Sequence, residues 1–312
     1  MRAIQYIAKA APLEEQSVAD AAPAAGEIAI DIRACGICHS DGHYRAGFGN
    51  VAAPRTLGHE IAGVVAAAGD GVRDVRIGDR VGIHYLMPSG EMIGKERDGG
   101  YADWIIVPAA NAVPVPDNVP LEHAAVMMCS TATAYHALRL AALQAGESVA
   151  ILGFGGLGVS ALELSLALGA GRVFALDRVE EKLALAESRG ASRMRAGDEF
   201  DVALDFIGSG EVNAAALRAL KPGGRLMIVA LSESKIDFNP YRDLLAKERR
   251  IIGCSDHTRD ELLDLMRLAS AGRIDIGRAI SGTVPLDAGA INAVLDDLDR
   301  GTAKLRTVIV RK

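Results

Sequence analysis

Two stretches of the chain hold residue types whose spacing could do chemistry. The first, residues 35–43, reads Cys35-Gly36-Ile37-Cys38-His39-Ser40-Asp41-Gly42-His43. Thiols and imidazoles this close together suit a borderline-soft metal ion or a dithiol redox pair. A structural zinc ribbon would need a second C-x-x-C or a spaced histidine pair, which the remaining cysteines, Cys129 and Cys254, do not supply. A thioredoxin-like pair would need its own helix start, whereas this segment follows a strand-like run. The second stretch is Gly153-Phe154-Gly155-Gly156-Leu157-Gly158, set between SVAILGF and VSALELSLALGA. A G-x-G-x-x-G at a strand-to-helix turn permits a tight turn, close backbone approach to a pyrophosphate, and a helix N-terminus whose dipole faces the anion. The next strand-like run, RVFALD, ends in Asp177, 24 residues after Gly153. A carboxylate there accepts both hydroxyls of an adenosine ribose and repels a 2′-phosphate, which favours NAD over NADP. Arg178, next in the chain, could instead clamp that phosphate.

These stretches need two kinds of scaffold. Up to about residue 115 the chain is a series of short runs rich in Val and Ile, punctuated by Gly, Pro and Asp: MRAIQYIAK, GEIAIDIRACG, IAGVVAAAG, DRVGIHYL and ADWIIVPA. That texture predicts strands and turns. The Pro-rich VPVPDNVP, residues 113–120, reads as a connection between two units. From about residue 121 long Ala/Leu runs alternate with SVAILGFG, RVFALD, VALDFIG, RLMIVAL and RIIGCS. Alternation of this kind predicts a doubly wound parallel sheet. After an amphipathic helix near DELLDLMRLASAG the chain returns to short strands, AISGTVPL and KLRTVIVRK. A β domain interrupted by an α/β domain results.

At about 150 residues per domain, 312 residues also suggest two. Half of the chain is apolar, 24% is charged, the net charge is −6, and the mean hydropathy is +0.18. These values exclude a disordered chain and argue against nucleic acid as a partner. Four cysteines are too few to staple a secreted scaffold and read better as reduced thiols or metal ligands in the cytoplasm. No run approaches the ~18 apolar residues of a membrane span, and MRAIQYIAKAAPLEE has no signal-peptide core.

Farther along lies Gly58-His59-Glu60-Ile61-Ala62-Gly63, with Gly69 and Val72 beyond it. With this glycine-spaced signature and CGICHSD, the sequence resembles the zinc-containing, medium-chain alcohol dehydrogenase family, over essentially its whole length to the closing KLRTVIV. The resemblance implies an α/β protein: a GroES-like, β-rich catalytic domain, 1–129 and 256–312, around a Rossmann domain, 130–255. It implies Cys38, His59 and Cys129, the last in MMCSTATAYHAL, as ligands of one catalytic zinc, with Cys35 not a ligand. Two thiolates and one imidazole leave the open fourth position of a catalytic site. By the same resemblance Asp41 accepts from the free ring nitrogen of His59, and Glu60 lies behind the metal. Ser40 and His43 form a proton relay, from hydroxyl to cofactor ribose to imidazole. His39, where other members have Arg, and Arg306 contact the pyrophosphate. Thr133 lies beside the nicotinamide, Lys182 near the adenosine ribose, and Tyr85 lines the alcohol pocket.

Many family members hold a second, structural zinc with four cysteines shortly after the GDRVG strand. Here GDRVGIHYLMPSGEMIGKERDGGYADW contains no cysteine, so one zinc per chain and a shortened lobe are expected. The implied activity is zinc-dependent hydride transfer between NAD and a primary or secondary alcohol, or its aldehyde or ketone. Cys129 stands where polyol dehydrogenases usually place a glutamate. A homodimer or homotetramer is implied, with RLMIVAL or its neighbour as the seam. Zinc-free, NADPH-dependent quinone or enoyl reductases share the architecture but lack the ligand set, and an inactive nucleotide-binding relative would have lost ligands or relay.

Overall fold

A computed structural model describes residues 1–311. In chain order the elements are β1 (Arg2–Tyr6), β2 (Glu14–Ser17), β3 (Glu27–Ile37), α1 (His39–Arg45), β4 (Arg55–Thr56), β5 (Glu60–Ala68), β6 (Arg80–Ile83), β7 (Trp104–Pro108), β8 (Ala112–Pro114) and α2 (Leu121–Val126). There follow α3 (Ala132–Leu140), β9 (Ser148–Leu152), α4 (Gly156–Ala167), β10 (Arg172–Leu176), α5 (Glu180–Ser188), β11 (Ser192–Arg193), β12 (Phe200–Asp205), α6 (Gly210–Ala219), β13 (Leu220–Ile228) and β14 (Arg250–Gly253). The chain ends with α7 (Arg259–Ser270), β15 (Ile280–Val284), α8 (Ala288–Arg300) and β16 (Arg306–Val310). The chain divides into two compact units. One comprises Met1–Cys129, Arg259–Gly272 and the chain from Ile276 onward; the other comprises Ser130–Thr258 with Arg273–Asp275.

In the first unit, β15-β16-β3-β5-β6-β8 form one sheet, with β7 also paired to β3, and β2-β1-β4 form a second. Strand β3 is long enough to pair with β5, β7 and β16 at once. Its Ile28, Ile30, Ile32 and Ile37 enter one apolar core with Ile61, Val81 and Ile83. VPVPDNVP is not the connection between units that its prolines suggest. Its start is β8, paired with β6, and the first unit continues to Cys129.

Helix α8 lies in the segment expected to hold only short strands. Its signals are local: Asp287 caps it by accepting from Ala290 N at 2.8 Å, and Gly301 ends it at φ +71°. Ile291 and Leu295, four residues apart, bury its inner face. This helix holds α1 in place. Arg45 Nη2 donates to Asp296 at 2.7 Å and to Asp299 at 2.8 Å, and Asn292 exchanges two 2.9 Å bonds with the Leu13 backbone.

The second unit is built on a six-stranded sheet ordered β11-β10-β9-β12-β13-β14, parallel at every pairing. All of β9 is buried, as a central strand covered on both faces requires. Strand order reverses on either side of β9, the place where doubly wound sheets bind ligands beyond their strand ends. The first four residues of RLMIVAL end β13, one strand inside; the neighbouring β14 is one edge of the sheet and β11 the other.

Candidate metal centre and nucleotide cradle

Cys38 lies between β3 and α1, and His59 and Glu60 lie at the start of β5. Pairing of β3 with β5 sets Gly36 opposite Glu60, so the C-x-x-C and G-H-E segments share one end of the sheet. Cys129 comes from the wide helical turn Met127–Thr131 that follows α2. The ligand atoms of Cys38, His59, Glu60 and Cys129 all lie within 4.8 Å of one another. Cys35, two residues from a strand end in the same segment, is fully buried and outside this group.

The electrostatics of the cluster suit a cation. A hydrogen bond from Cys129, helped by Arg306 and His59 and opposed by burial, holds the Cys38 thiol well below its ordinary pKa. Burial opposes charge on His59, but Asp41 and Cys38 outweigh it and hold the imidazole well above its usual value. Without a metal the site therefore gathers protons around thiolate and carboxylate, and a divalent ion would displace them. Two sulfurs with an imidazole form a donor set suited to zinc. Glu60 Oε2 is buried with no hydrogen-bond partner, while its other oxygen pairs with Arg306.

Asp41 sits behind His59, fully buried. Its Oδ1 is 3.3 Å from His59 Nδ1 and accepts from Gly58 N at 3.3 Å. Its Oδ2 accepts from Cys38 N at 3.0 Å and from the Tyr101 hydroxyl at 2.7 Å. In the neutral ring, donation from Nδ1 to Asp41 leaves Nε2 as the lone-pair nitrogen. The sequence reading missed Tyr101; its only signal is an aromatic ring following the GG of GGYADW.

Ser40 and His43 both lie on α1, with Cys38 Sγ 3.6 Å from Ser40 Oγ. His43 is half-buried, and burial, followed by the charge of neighbouring His39, lowers its pKa. The two imidazoles stack with centroids 4.4 Å apart, and His39 Nε2 is 3.6 Å from Asp299. Tyr85 is buried with its ring edge-on to His59, centroids 5.2 Å apart. Arg306 is not the solvated strand charge that its place near the terminus suggests. It is 5% exposed and its guanidinium pairs with Glu60. Burial opposes the charge on Arg306, but Glu60 and Cys38 outweigh it and raise its pKa.

In the second unit the glycines divide their tasks. Gly153 turns at φ +98°, and a Cβ on Gly158 would overlap the Gly153 carbonyl oxygen. A Cβ on Gly155 would meet nothing within 4 Å, so the space over the start of α4, where Gly156 and Leu157 lie, is open to an anion. Asp177 follows β10. Its Oδ2 accepts from Phe154 N at 2.8 Å and its Oδ1 from Val179 N at 3.0 Å, which locks the carboxylate against the glycine turn. Arg178 is exposed beside it and Lys182 half-buried on α5. Thr133 lies half-buried in the first turn of α3.

A parallel sheet with a glycine cradle, joined in one chain to a β-rich unit holding a Cys2His cluster, defines a medium-chain dehydrogenase. Two family models agree: Alcohol dehydrogenase GroES-like domain matches residues 24–117, and Zinc-binding dehydrogenase matches residues 156–271. The chain is 33% identical to an alcohol dehydrogenase of Geobacillus stearothermophilus, over 96% of each chain. It is 32% identical to NADP-dependent alcohol dehydrogenase C 1 of Mycolicibacterium smegmatis, over 78% of this chain and 79% of that one. Among solved structures, acetophenone reductase of Geotrichum candidum in complex with NAD superimposes with a TM-score of 0.87 at 26% identity, covering 99% of this chain and 97% of that one. The chain belongs to the zinc-type alcohol dehydrogenase family of the medium-chain dehydrogenase/reductase superfamily, and is an oxidoreductase of that family.

Proposed function

We propose that the protein is a zinc-dependent alcohol dehydrogenase that moves hydride between NAD and a simple primary or secondary alcohol, or the reverse with an aldehyde or ketone. The observation that supports it best is the convergence of Cys38, His59 and Cys129 beside the unpartnered Glu60 oxygen, with Asp41 behind His59. Those three residues would hold the ion, and Glu60 stands ready at the same cluster. Zinc held there supplies a Lewis acid that lowers the pKa of an alcohol and polarises a carbonyl. Tyr85 walls the site on the His59 side and limits the width of the alcohol. The Ser40 hydroxyl, beside Cys38, accepts the alcohol proton as it gives up its own toward His43. His43, kept neutral near pH 7 by its lowered pKa, hands the proton to solvent.

The cradle of Gly153, Gly155, Gly156, Leu157 and Gly158 receives the pyrophosphate, and His39 is a further cofactor-binding residue. Asp177 binds the adenosine ribose, with Lys182 near it, and Thr133 lies by the nicotinamide. The locked carboxylate of Asp177 favours NAD, against the exposed Arg178 next to it. One zinc per chain fits the cysteine-free segment after β6. We place the protein in the cytoplasm, where its four free cysteines would stay reduced, as a homodimer or homotetramer joined through the edge strand β14.

The test is a panel of primary and secondary alcohols assayed with both cofactors, before and after zinc removal and restoration. The expected result is one zinc per chain, NAD preferred, and activity lost and regained with the metal. Activity that survives complete zinc removal would overturn the assignment, and a clear NADP preference would overturn its cofactor half. His43→Gln should lower turnover by no more than about tenfold, below the hundredfold or more typical of a direct acid–base group, because buffer can replace a terminal acceptor. External imidazole should recover part of the rate; an unchanged rate and pH profile would remove His43 from the relay.

A further inference from the structure

We propose that Tyr101 is a positioning residue of the metal centre, acting through Asp41 on His59; the inference rests on the metal reading above. The Asp41 carboxylate is fully buried and held by four donors, two on each oxygen. Three of them, the backbone of Cys38, the backbone of Gly58 and the His59 ring, belong to the ligand segments themselves. The fourth, the Tyr101 hydroxyl at 2.7 Å, is the shortest and the only one from elsewhere in the chain. It comes from the segment after β6 that contains no cysteine.

The backbone shows how that segment reaches the site. Gly99 N donates to Thr56 O at 2.8 Å, Gly100 N to Gly58 O at 2.7 Å, and Tyr101 N to Leu57 O at 3.0 Å. Three consecutive residues are thus laced to the three that precede His59. On its other side Tyr101 O accepts from Ile4 N of β1 at 2.7 Å. The ring itself fills the space over Gly58, where any Cβ would overlap it. Gly58 stands at φ +89°, so both its backbone and the ring above it call for glycine at that position of the G-H-E signature. This cysteine-free segment therefore acts as a strap that delivers a phenol to the carboxylate orienting a metal ligand.

Partners that orient a ligating histidine are worth about 10- to 100-fold in metal affinity. Tyr101 acts one bond farther out, so Tyr101→Phe, which keeps the ring over Gly58, should speed zinc release to a chelator by about three- to tenfold. Asp41→Asn should speed it by about 10- to 100-fold. In the Asp41→Asn background, Tyr101→Phe should add little, because its effect travels through the carboxylate.

The experiment follows zinc release from the purified full chain with a chromogenic chelator, for wild type, both single variants and the double variant. Thermal unfolding of each metal-free form accompanies it, since a merely structural role would lower that midpoint without changing release. Release at the wild-type rate in Tyr101→Phe overturns the proposal. So does slower release, which would mean that the phenol acts by draining charge from Asp41, and so does an equal acceleration in the Asp41→Asn background. Should Tyr101→Phe fold poorly, zinc-loaded wild type labelled with 15N-histidine decides the matter. A slowly exchanging His59 Nδ1–H supports the donor chain and its absence overturns it. A wild-type protein that binds no zinc overturns the functional reading and this inference with it, whereas zinc binding with unaltered release in Tyr101→Phe overturns this inference alone.

Discussion

Cys38→Ser should lower kcat/KM for alcohol oxidation by at least about a thousandfold, with loss of the bound zinc. The Lewis-acid contribution of a catalytic metal is several kcal/mol, and each 1.36 kcal/mol is tenfold in rate. Cys38 is the thiol whose surroundings hold it most strongly as a thiolate, and a serine hydroxyl at the same place stays protonated and is a poor zinc ligand. The substitution separates chemistry from folding. Residue 38 precedes α1, a position where serine is a better helix cap than cysteine, and the backbone bond from residue 38 to Asp41 remains available. Metal analysis and steady-state kinetics on the same preparation, with a thermal melt as the folding control, make the measurement. A variant that keeps one zinc per chain and wild-type kcat/KM would show that the assigned ligand is wrong.

Arg306→Met should destabilise the metal-free protein by about 3–5 kcal/mol, the usual cost of removing one partner of a buried ion pair. Glu60 and Arg306 are 0% and 5% exposed, and methionine takes from the buried carboxylate the guanidinium that pairs with it. Burial already pushes Glu60 up to about 7, against the opposing pull of Arg306. The sign of the pH dependence follows. A carboxyl whose folded pKa lies above its unfolded value binds more protons in the native state, so the contribution of Glu60 to stability is fully present below about 4.5 and is lost as pH rises through about 7. In Arg306→Met the fall should continue above pH 7, and the deficit relative to wild type should shrink on acidification. Replacing both residues, Glu60→Gln with Arg306→Met, should recover most of the loss. Urea unfolding of the metal-free forms between pH 5 and 8, run in parallel, reads these differences; a deficit that does not depend on pH would mean that lost packing, and not an uncompensated charge, is responsible.

The two predictions touch the site where sequence and structure contribute differently. The alternation of apolar β runs with Ala/Leu helices was legible because the period of each element is local, and the parallel sheet around β9 follows that pattern. The glycine cradle was legible for the same reason: turn, approach and packing are demanded of neighbouring residues. Helix α8 was missed although Asp287, Ile291, Leu295 and Gly301 mark its cap, face and stop, because flanking β-branched runs drew the segment toward strands. VPVPDNVP was misread because a proline at a strand's end looks the same in sequence as a proline in a linker.

By itself the sequence determined the kinds of residue available for chemistry: two thiols and an imidazole for a borderline metal, an acid after the second strand of a nucleotide fold, and no cysteines for a second zinc. Only the tertiary structure decided how they are used. The β3–β5 register brings Gly36 against Glu60 and leaves Cys35 buried outside the cluster, and pairing of β16 with β3 turns Arg306 from a strand-end charge into an internal counter-ion. Lacing of residues 99–101 onto residues 56–58 sets the Tyr101 phenol on Asp41. These contacts join residues tens to hundreds of positions apart, and no local period or propensity encodes such a distance; they exist only once the strands have paired and water has been excluded from between them.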